Sequence, residues 1–334
     1  MRGPRRRAVP GRKVKVGFIG AGVMANKVHY PSLQEMEDVE IVAICDLVDE
    51  RLHSTADKYG VERRYKDYRR MLDEVELDAV YVIMPPHHLF DICVDVLERG
   101  LNLFIEKPPG VTAYQAWRMA ELAEKNGAIA MVGFNRRFAP YLVRALERAK
   151  ELGGKPQVVA SAFHKNGLKT GPYYRGAIDI LSCDAIHAVD LLCHVGGRVR
   201  KVLGSRVKAV AKSYPDNFLA LVEFEGGVEG VLLCSWTAGR RIHWLEVHCK
   251  GSSLWVDLDN SPKAEAVVSA EGEVVERLTA SEAAGSDEFR VFYGYFGENR
   301  HFIDCVKEGR RPLSSMEEVA RTMDLVEAIY RAGL

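Results

Sequence analysis

Over the first 138 residues, short unbroken apolar runs alternate with amphipathic stretches. VKVGFI (14–19), IVAIC (41–45), AVYVIM (79–84), LNLFIE (101–106) and IAMVGF (129–134) have strand length and too little alternation for a sheet wetted on one side. Between them, residues 49–59, 67–75, 88–99 and 112–126 carry helical patterns, the last closed by Asn126-Gly127. Apolar strands separated by helices predict a parallel sheet covered on both faces.

After about residue 150 the texture changes. Strand-like segments follow one another at 156–164, 199–212, 217–225, 227–236, 243–249, 253–258, 264–270 and 273–278. Leu245, Val247 and Cys249 alternate with polar residues, and Gly226-Gly227 sits where a hairpin turn belongs. One helix is expected over 181–195, and helix returns at 288–332, broken from Gly309 to Pro312. The expected fold class is therefore α/β: an N-terminal doubly wound parallel sheet followed by an α+β domain whose sheet is mostly antiparallel. The expected boundaries are a flexible basic tail at 1–13, a dinucleotide-binding domain at 14–138, and a substrate-binding and oligomerisation domain at 139–334. The C-terminal helices are candidates to pack back on the first domain.

Length and composition fit this division. A chain of 334 residues is long for one core. Its 46 basic and 46 acidic residues cancel, which argues against a nucleic-acid binder with a broad basic surface. The one basic cluster, Arg5, Arg6 and Arg7 among Gly and Pro, is followed by no apolar signal-peptide stretch and reads as a frayed tail. No apolar run approaches membrane-spanning length. Seven scattered cysteines without C-x-x-C spacing read as reduced thiols, so a cytoplasmic protein is expected.

The chemistry begins at Gly20-Ala21-Gly22-Val23-Met24-Ala25, a G-x-G-x-x-A turn after a strand and before a helix. Gly20 permits the tight turn, Gly22 lets the backbone approach a pyrophosphate, and Ala25 allows close helix–strand packing. The helix N-terminus, with Val23 and Met24, offers N–H groups to the anion. Asp46 ends the second strand 24 residues after Gly22, where an acid can accept the adenosine ribose hydroxyls. A carboxylate there repels a 2′-phosphate, so NAD is the expected cofactor; Arg51, further along, leaves NADP possible.

Glu106-Lys107-Pro108 ends the fourth strand. Together with the glycine turn, Met84-Pro85-Pro86, Gly133-Phe134-Asn135-Arg136-Arg137-Phe138, Ile186-His187-Ala188-Val189-Asp190 and Pro312-Leu313-Ser314, it makes nearly the whole chain resemble the glucose–fructose oxidoreductase/inositol dehydrogenase (Gfo/Idh/MocA) family. The resemblance implies a Rossmann domain, a C-terminal domain with a large open sheet, and oxidoreductase activity on sugars or their relatives. It maps the family's E-K-P lysine onto Lys107 and puts Glu106, Pro85 and His88 beside the cofactor, with His87 an alternative to His88. The family's usual D-x-x-x-H would put an aspartate at position 183; this chain has Cys183 there and Asp184 one residue later.

Oxidising a secondary alcohol needs a group to take the hydroxyl proton and a nicotinamide positioned to receive hydride. Lys107, at the carboxyl end of a parallel strand, stands on the rim where such sheets bind ligands. His187 is the expected proton acceptor in oxidation and donor in reduction, since imidazole titrates near neutrality. On one continuous helix Asp184, His187, Leu191 and His194 share a face, and Asp184 is a candidate to orient the imidazole. A metal held by Cys183, Asp184, His187 and His194 is disfavoured because residues seven apart lie about 10 Å apart along a helix axis; no metal is expected. Arg136 and Arg137 either meet an anionic group or face solvent. Tyr173, Tyr174 and Arg175 form a candidate substrate lid, with Tyr174 a substrate contact. The aromatic run FRVFYGYF (289–296) reads as helix packing.

These features favour an NAD(P)-dependent dehydrogenase or reductase of a small polyhydroxylated substrate, a sugar or cyclitol. A cofactor-retaining enzyme that oxidises transiently to cleave or epimerise sugars is the alternative. A non-catalytic dinucleotide-sensing regulator is the alternative of another class, disfavoured because Lys107 and His187 are both present. A homodimer or homotetramer built through the second sheet is expected.

Overall fold

The computed structural model describes residues 11–333, so Arg5, Arg6 and Arg7 of the expected tail lie outside the described residues. The chain divides into two compact units. The first runs to Gly133 and takes in Tyr295–Ala320; the second is Phe134–Gly294 with the segment from Arg321 onward.

The first unit is built on six parallel strands: β1 (Val14–Ile19), β2 (Val39–Cys45), β3 (Arg63–Tyr65), β4 (Ala79–Val82), β5 (Asn102–Glu106) and β6 (Ala130–Gly133). Their order, β3-β2-β1-β4-β5-β6, is that of a doubly wound Rossmann sheet, as the alternating pattern predicts. Strand β3 carries no apolar signal because it is a short edge strand of partly exposed polar residues. In-register positions on neighbouring strands stack an aromatic row, Phe18 on Tyr81 at 4.9 Å and Tyr81 on Phe104 at 4.6 Å, extended by Tyr30 and Phe302. The segment around Pro312-Leu313-Ser314 closes the β6 edge: Val132 N donates to Ser314 O at 3.0 Å and Ser314 Oγ to Val132 O at 2.7 Å.

After the glycine turn, the helix contains a wide turn over Ala25–His29 before Tyr30–Gln34. Pro31 explains it, since proline has no N–H to give the preceding turn. The helix expected from residue 88 starts two residues earlier. It runs over Pro86–Glu98, so His87 and His88 lie in its first turn, where proline is tolerated.

The second unit carries an eight-stranded sheet: β7 (Pro156–Asn166), β8 (Val199–Lys208), β9 (Asn217–Phe224), β10 (Glu229–Ser235), β11 (Thr237–Cys249), β12 (Ser252–Asp257), β13 (Glu265–Ala270) and β14 (Glu273–Thr279). The order is β14-β13-β12-β11-β7-β10-β9-β8, antiparallel throughout except between β7 and β10. The Gly226-Gly227 hairpin joins β9 to β10, with both glycines at positive φ. The helices Pro140–Glu151 and Ile186–Gly196 pack on the sheet. Alternation along β9 and β12 leaves Leu219, Leu221 and Trp255 exposed.

The single helix expected over 181–195 is two, Ile180–Cys183 and Ile186–Gly196. Asp184 leaves helical geometry at φ −121°, so Asp184 and His187 do not share one continuous helix face. All seven cysteines are buried, and burial pushes the Cys45 and Cys234 thiols up to about 12. No helix among the described residues is long and apolar enough to cross a membrane.

Candidate functional site

In the first unit, parallel topology puts the ends of β1, β2, β4 and β5 on one edge of the sheet. A crevice of about 390 Å³ opens there, lined by Gly20, Gly22, Asp46, Arg51, Pro85 and His88, with Leu47, Lys66, Tyr68 and Met84 also contributing. The strand order reverses between β1 and β4, where doubly wound sheets take ligands. Gly20 is obligatory: its φ is +112°, and a Cβ would stand 2.1 Å from Ile83 O. A Cβ at Gly22 would meet nothing within 4 Å, so that glycine leaves open space along the backbone.

Asp46 is fixed by its neighbours. Ala21 N donates to Oδ2 and Val48 N to Oδ1, each at 2.8 Å. This holds the carboxylate against the glycine turn. Leu47, 79% exposed, lines the same crevice beside it, an apolar rim suited to a planar ring. Open backbone at Gly22, a fixed carboxylate and an apolar rim fit a dinucleotide. Met24 and Ala25 continue into the helix, Ala25 fully buried as close packing requires.

Glu106 and Lys107 stand at the end of β5, two strands from β1. Glu106 Oε1 meets His29 Nε2 at 3.0 Å and Oε2 accepts from Lys107 N at 3.2 Å. His29, wholly buried, contacts the Asn299 side-chain amide through Nδ1 at 3.2 Å, and Asn299 Nδ2 donates to Tyr295 O. Buried Glu298 completes the group: His29, Glu106 and Glu298 present donor atoms within 4.8 Å of one another, the kind of set that can take a proton or a cation. No spacing in the chain links 29, 106 and 298, so sequence patterning misses His29, Glu298 and Asn299.

In the second unit, His187 is 2% exposed, and its Nε2 accepts from Arg136 Nη1. A guanidinium only donates, so this bond fixes the neutral imidazole with its proton on Nδ1. Phe134 meets the ring edge-on at 5.6 Å. Arg136 also donates to Asn135 Oδ1 at 3.1 Å and to the Tyr293 hydroxyl at 3.0 Å. Of the two alternatives for the arginine pair, solvent exposure fails: Arg136 and Arg137 are both buried. Arg137 forks onto Asp190 through two bonds of 2.8 and 2.6 Å, the two side chains each 1% exposed. Burial, then the Arg137 charge, takes His194 down to about 3.

Asp184 binds Lys165 and accepts from the Tyr173 hydroxyl at 2.7 Å. Tyr173 in turn accepts from Trp236 Nε1 at 3.1 Å, and burial followed by the Asp184 charge raises its hydroxyl far above the usual range. Tyr174, the other lid tyrosine, is exposed at φ +48°. The aromatic run does more than pack. Its helix stops at Phe292, and Tyr293 sends its hydroxyl among Arg136, Arg241 and Leu258 O. Arg241 and Lys165 lie across an irregular stretch in the β7–β11 pairing, between Thr237 and Ile242. Such bulges re-aim side chains without a strong sequence signal.

The family described as "Oxidoreductase family, NAD-binding Rossmann fold" matches residues 14–134, and the "GFO/IDH/MocA C-terminal domain" matches 143–255. Myo-inositol 2-dehydrogenase of Thermotoga maritima is 25% identical over 321 residues, covering 91% of this chain and 92% of the relative. D-apiose dehydrogenase of Paraburkholderia graminis is 26% identical over 338 residues, covering 96% of this chain and 87% of the relative. A dehydrogenase crystal structure from Chromobacterium violaceum superposes with a TM-score of 0.83 at 23% identity, covering 96% of this chain and 95% of that one. Two successive domain matches span more than half of the sequence, and the chain belongs to the Gfo/Idh/MocA family of NAD-binding Rossmann-fold oxidoreductases.

Proposed function

We propose that the protein is an NAD-dependent dehydrogenase or reductase that interconverts a hydroxyl and a carbonyl carbon on a sugar, cyclitol or sugar derivative. The observation that carries the reading is the crevice in which Gly22 and the fixed Asp46 carboxylate meet Pro85 and His88 at the carboxyl edge of the sheet. The relatives' names, inositol and apiose dehydrogenases, support the substrate class.

When bound, the nicotinamide supplies or receives the hydride. The glycine turn, with Val23, Met24 and Ala25, holds the pyrophosphate side, and Asp46 accepts the ribose hydroxyls. Pro85, His88 and Glu106 border the remainder. Lys107 donates to the reacting oxygen; its backbone N–H is bonded to Glu106, which His29 holds in turn. His187 takes the hydroxyl proton in oxidation and returns it in reduction; Arg136 holds the Nε2 lone pair until a substrate oxygen replaces it. Asp184 acts as a substrate contact anchored by Lys165 and Tyr173, and Tyr174 as part of the covering loop. The exposed Leu219, Leu221 and Trp255 side chains of the second sheet are the surface proposed for a homo-oligomer.

The test is to incubate the purified protein with NAD and a panel of cyclitols and sugars. NADH formation with one or more of them is the expected result. Product release without net NADH would favour the transient-oxidation alternative, and binding of NADH without turnover of any polyol would overturn the dehydrogenase reading.

A further inference from the structure

In the first unit a wholly buried imidazole stands between two side chains that can serve either of its charge states. His29 Nε2 lies 3.0 Å from Glu106 Oε1, a hydrogen bond when the ring is neutral and an ion pair when it is charged. Its Nδ1 lies 3.2 Å from both Oδ1 and Nδ2 of Asn299. Asn299 Nδ2 gives one hydrogen to Tyr295 O at 2.7 Å and has a second. The amide can therefore donate to a bare Nδ1 or accept from a protonated one. Neither state leaves a buried ring nitrogen unbonded.

Among the described residues the acids at this ring are Glu106 and buried Glu298, whose donor atoms lie within 4.8 Å of one another and of His29. The rings facing it are Phe104, Tyr81 and Tyr295, with centroids at 5.2, 6.0 and 6.3 Å, and a phenol is uncharged near neutral pH. Arg300, next to Asn299, pairs with Asp38 and Asp304. Imidazole is the side chain whose charge changes between about pH 5 and 8. Glu106 carries that change to the cofactor crevice. The β4–β5 ladder pairs Val82 with Ile105, so Glu106 is level with Ile83, which lines the crevice. With the ribose at Asp46 on the β2 side, a dinucleotide crossing the switch point lays its nicotinamide on the β4–β5 side.

We propose that His29 sets the charge that Glu106 presents to the nicotinamide, and with it the relative affinity for NAD+ and NADH. A neutral His29 leaves the carboxylate to attract the positively charged oxidised ring; a protonated His29 cancels that attraction, and NADH, neutral at the ring, is little affected. One unit charge roughly 6–8 Å from the ring, at an effective dielectric of about 40, changes binding about 5- to 10-fold. His29 is a positioning residue that acts through Glu106. The proposal rests on the dinucleotide crossing the switch point and requires no polyol to be turned over.

The test is calorimetric titration of the full chain with NAD+ and with NADH at about pH 6 and about pH 8.5, at fixed ionic strength. The wild-type ratio of the NAD+ to the NADH dissociation constant should be about 5-fold higher at the lower pH. His29→Gln keeps a donor for Glu106 but takes no charge, so its ratio should stay near the wild-type high-pH value at both. A bond that only supports the fold would be rescued by Gln without losing the pH dependence. The joint substitution His87→Gln and His88→Gln, in the first turn of the helix at the crevice, should retain the pH dependence whatever it does to affinity. A wild-type ratio equal at both pH values overturns the proposal. So does a His29→Gln ratio that still follows pH, or loss of the dependence in the His87 and His88 variant. NADH formation from a polyol with a pH-independent ratio removes this proposal and spares the dehydrogenase reading. A ratio governed by His29 with no polyol turned over does the reverse.

Discussion

Replacing Asp46 by serine should move the cofactor preference from NAD towards NADP. The carboxylate is pinned by Ala21 N and Val48 N at 2.8 Å each, so it cannot swing away from a ligand in the crevice. Unit charges about 6 Å apart at an effective dielectric of about 40 repel by about 1.4 kcal/mol. A 2′-phosphate carrying about −1.5 charge is therefore disfavoured by about 2 kcal/mol, somewhat less at physiological salt. Loss of a charged acceptor for the ribose hydroxyls weakens NAD by about 1.5 kcal/mol. Arg51 and Lys66, which line the same crevice, remain to receive the phosphate. The two effects together, about 3.5 kcal/mol before salt screening, shift the ratio of NADH to NADPH dissociation constants by about 100- to 400-fold. Titration of intrinsic fluorescence with each reduced cofactor measures the ratio without knowledge of the substrate. A thermal melt shows whether the serine still anchors the turn. A folded variant with the wild-type ratio would refute the assignment of Asp46 to the ribose.

Other substitutions probe separate parts of the molecule. Lys107→Met and His187→Ala should each lower the steady-state rate by about 10²-fold or more; turnover near wild type in both would dismiss them as proton-transfer groups. Arg137→Met leaves Asp190 buried without its fork and should destabilise the protein by about 3–5 kcal/mol in urea titration. An unchanged midpoint would mean that the pair is neutral to folding. In the first unit, hydrogen bonds from Arg300 and Lys307 hold the Asp38 carboxyl down at about 2. A depressed carboxyl stabilises the fold above its unfolded value near 3.8 and loses that stabilisation as pH falls towards 2. Asp38→Asn should thus cost about 1 kcal/mol near neutral pH, after allowance for solvent screening, and almost nothing near pH 2. Equal losses at both pH values would contradict the linkage.

Local order was legible along the chain because its causes are local. Apolar runs of strand length, the hairpin glycines and the helix-ending Gly127 act through neighbouring residues, so both sheets could be anticipated from sequence patterning. Gly20 and Asp46 were legible for the same reason, since a strand, a turn and a second strand fix their separation. Where one residue could change the geometry, patterning stopped short. Asp184 ends a helix that periodicity alone would continue, and Pro31 widens a turn that reads as ordinary helix.

The sequence by itself determined the fold class, the phosphate-binding turn, the carboxylate beside it and the lysine after β5. Tertiary structure alone decided which groups meet: His29 and Asn299 with Glu106, Arg136 with His187, Lys165 with Asp184, and Tyr293 between two arginines. These pairs are 19 to 270 residues apart, and some cross an irregular strand pairing, so no repeat or spacing encodes them. They form only when sheet register and helix packing have brought distant side chains together. The hydrogen bonds and charges then select among arrangements that the apolar pattern leaves equivalent.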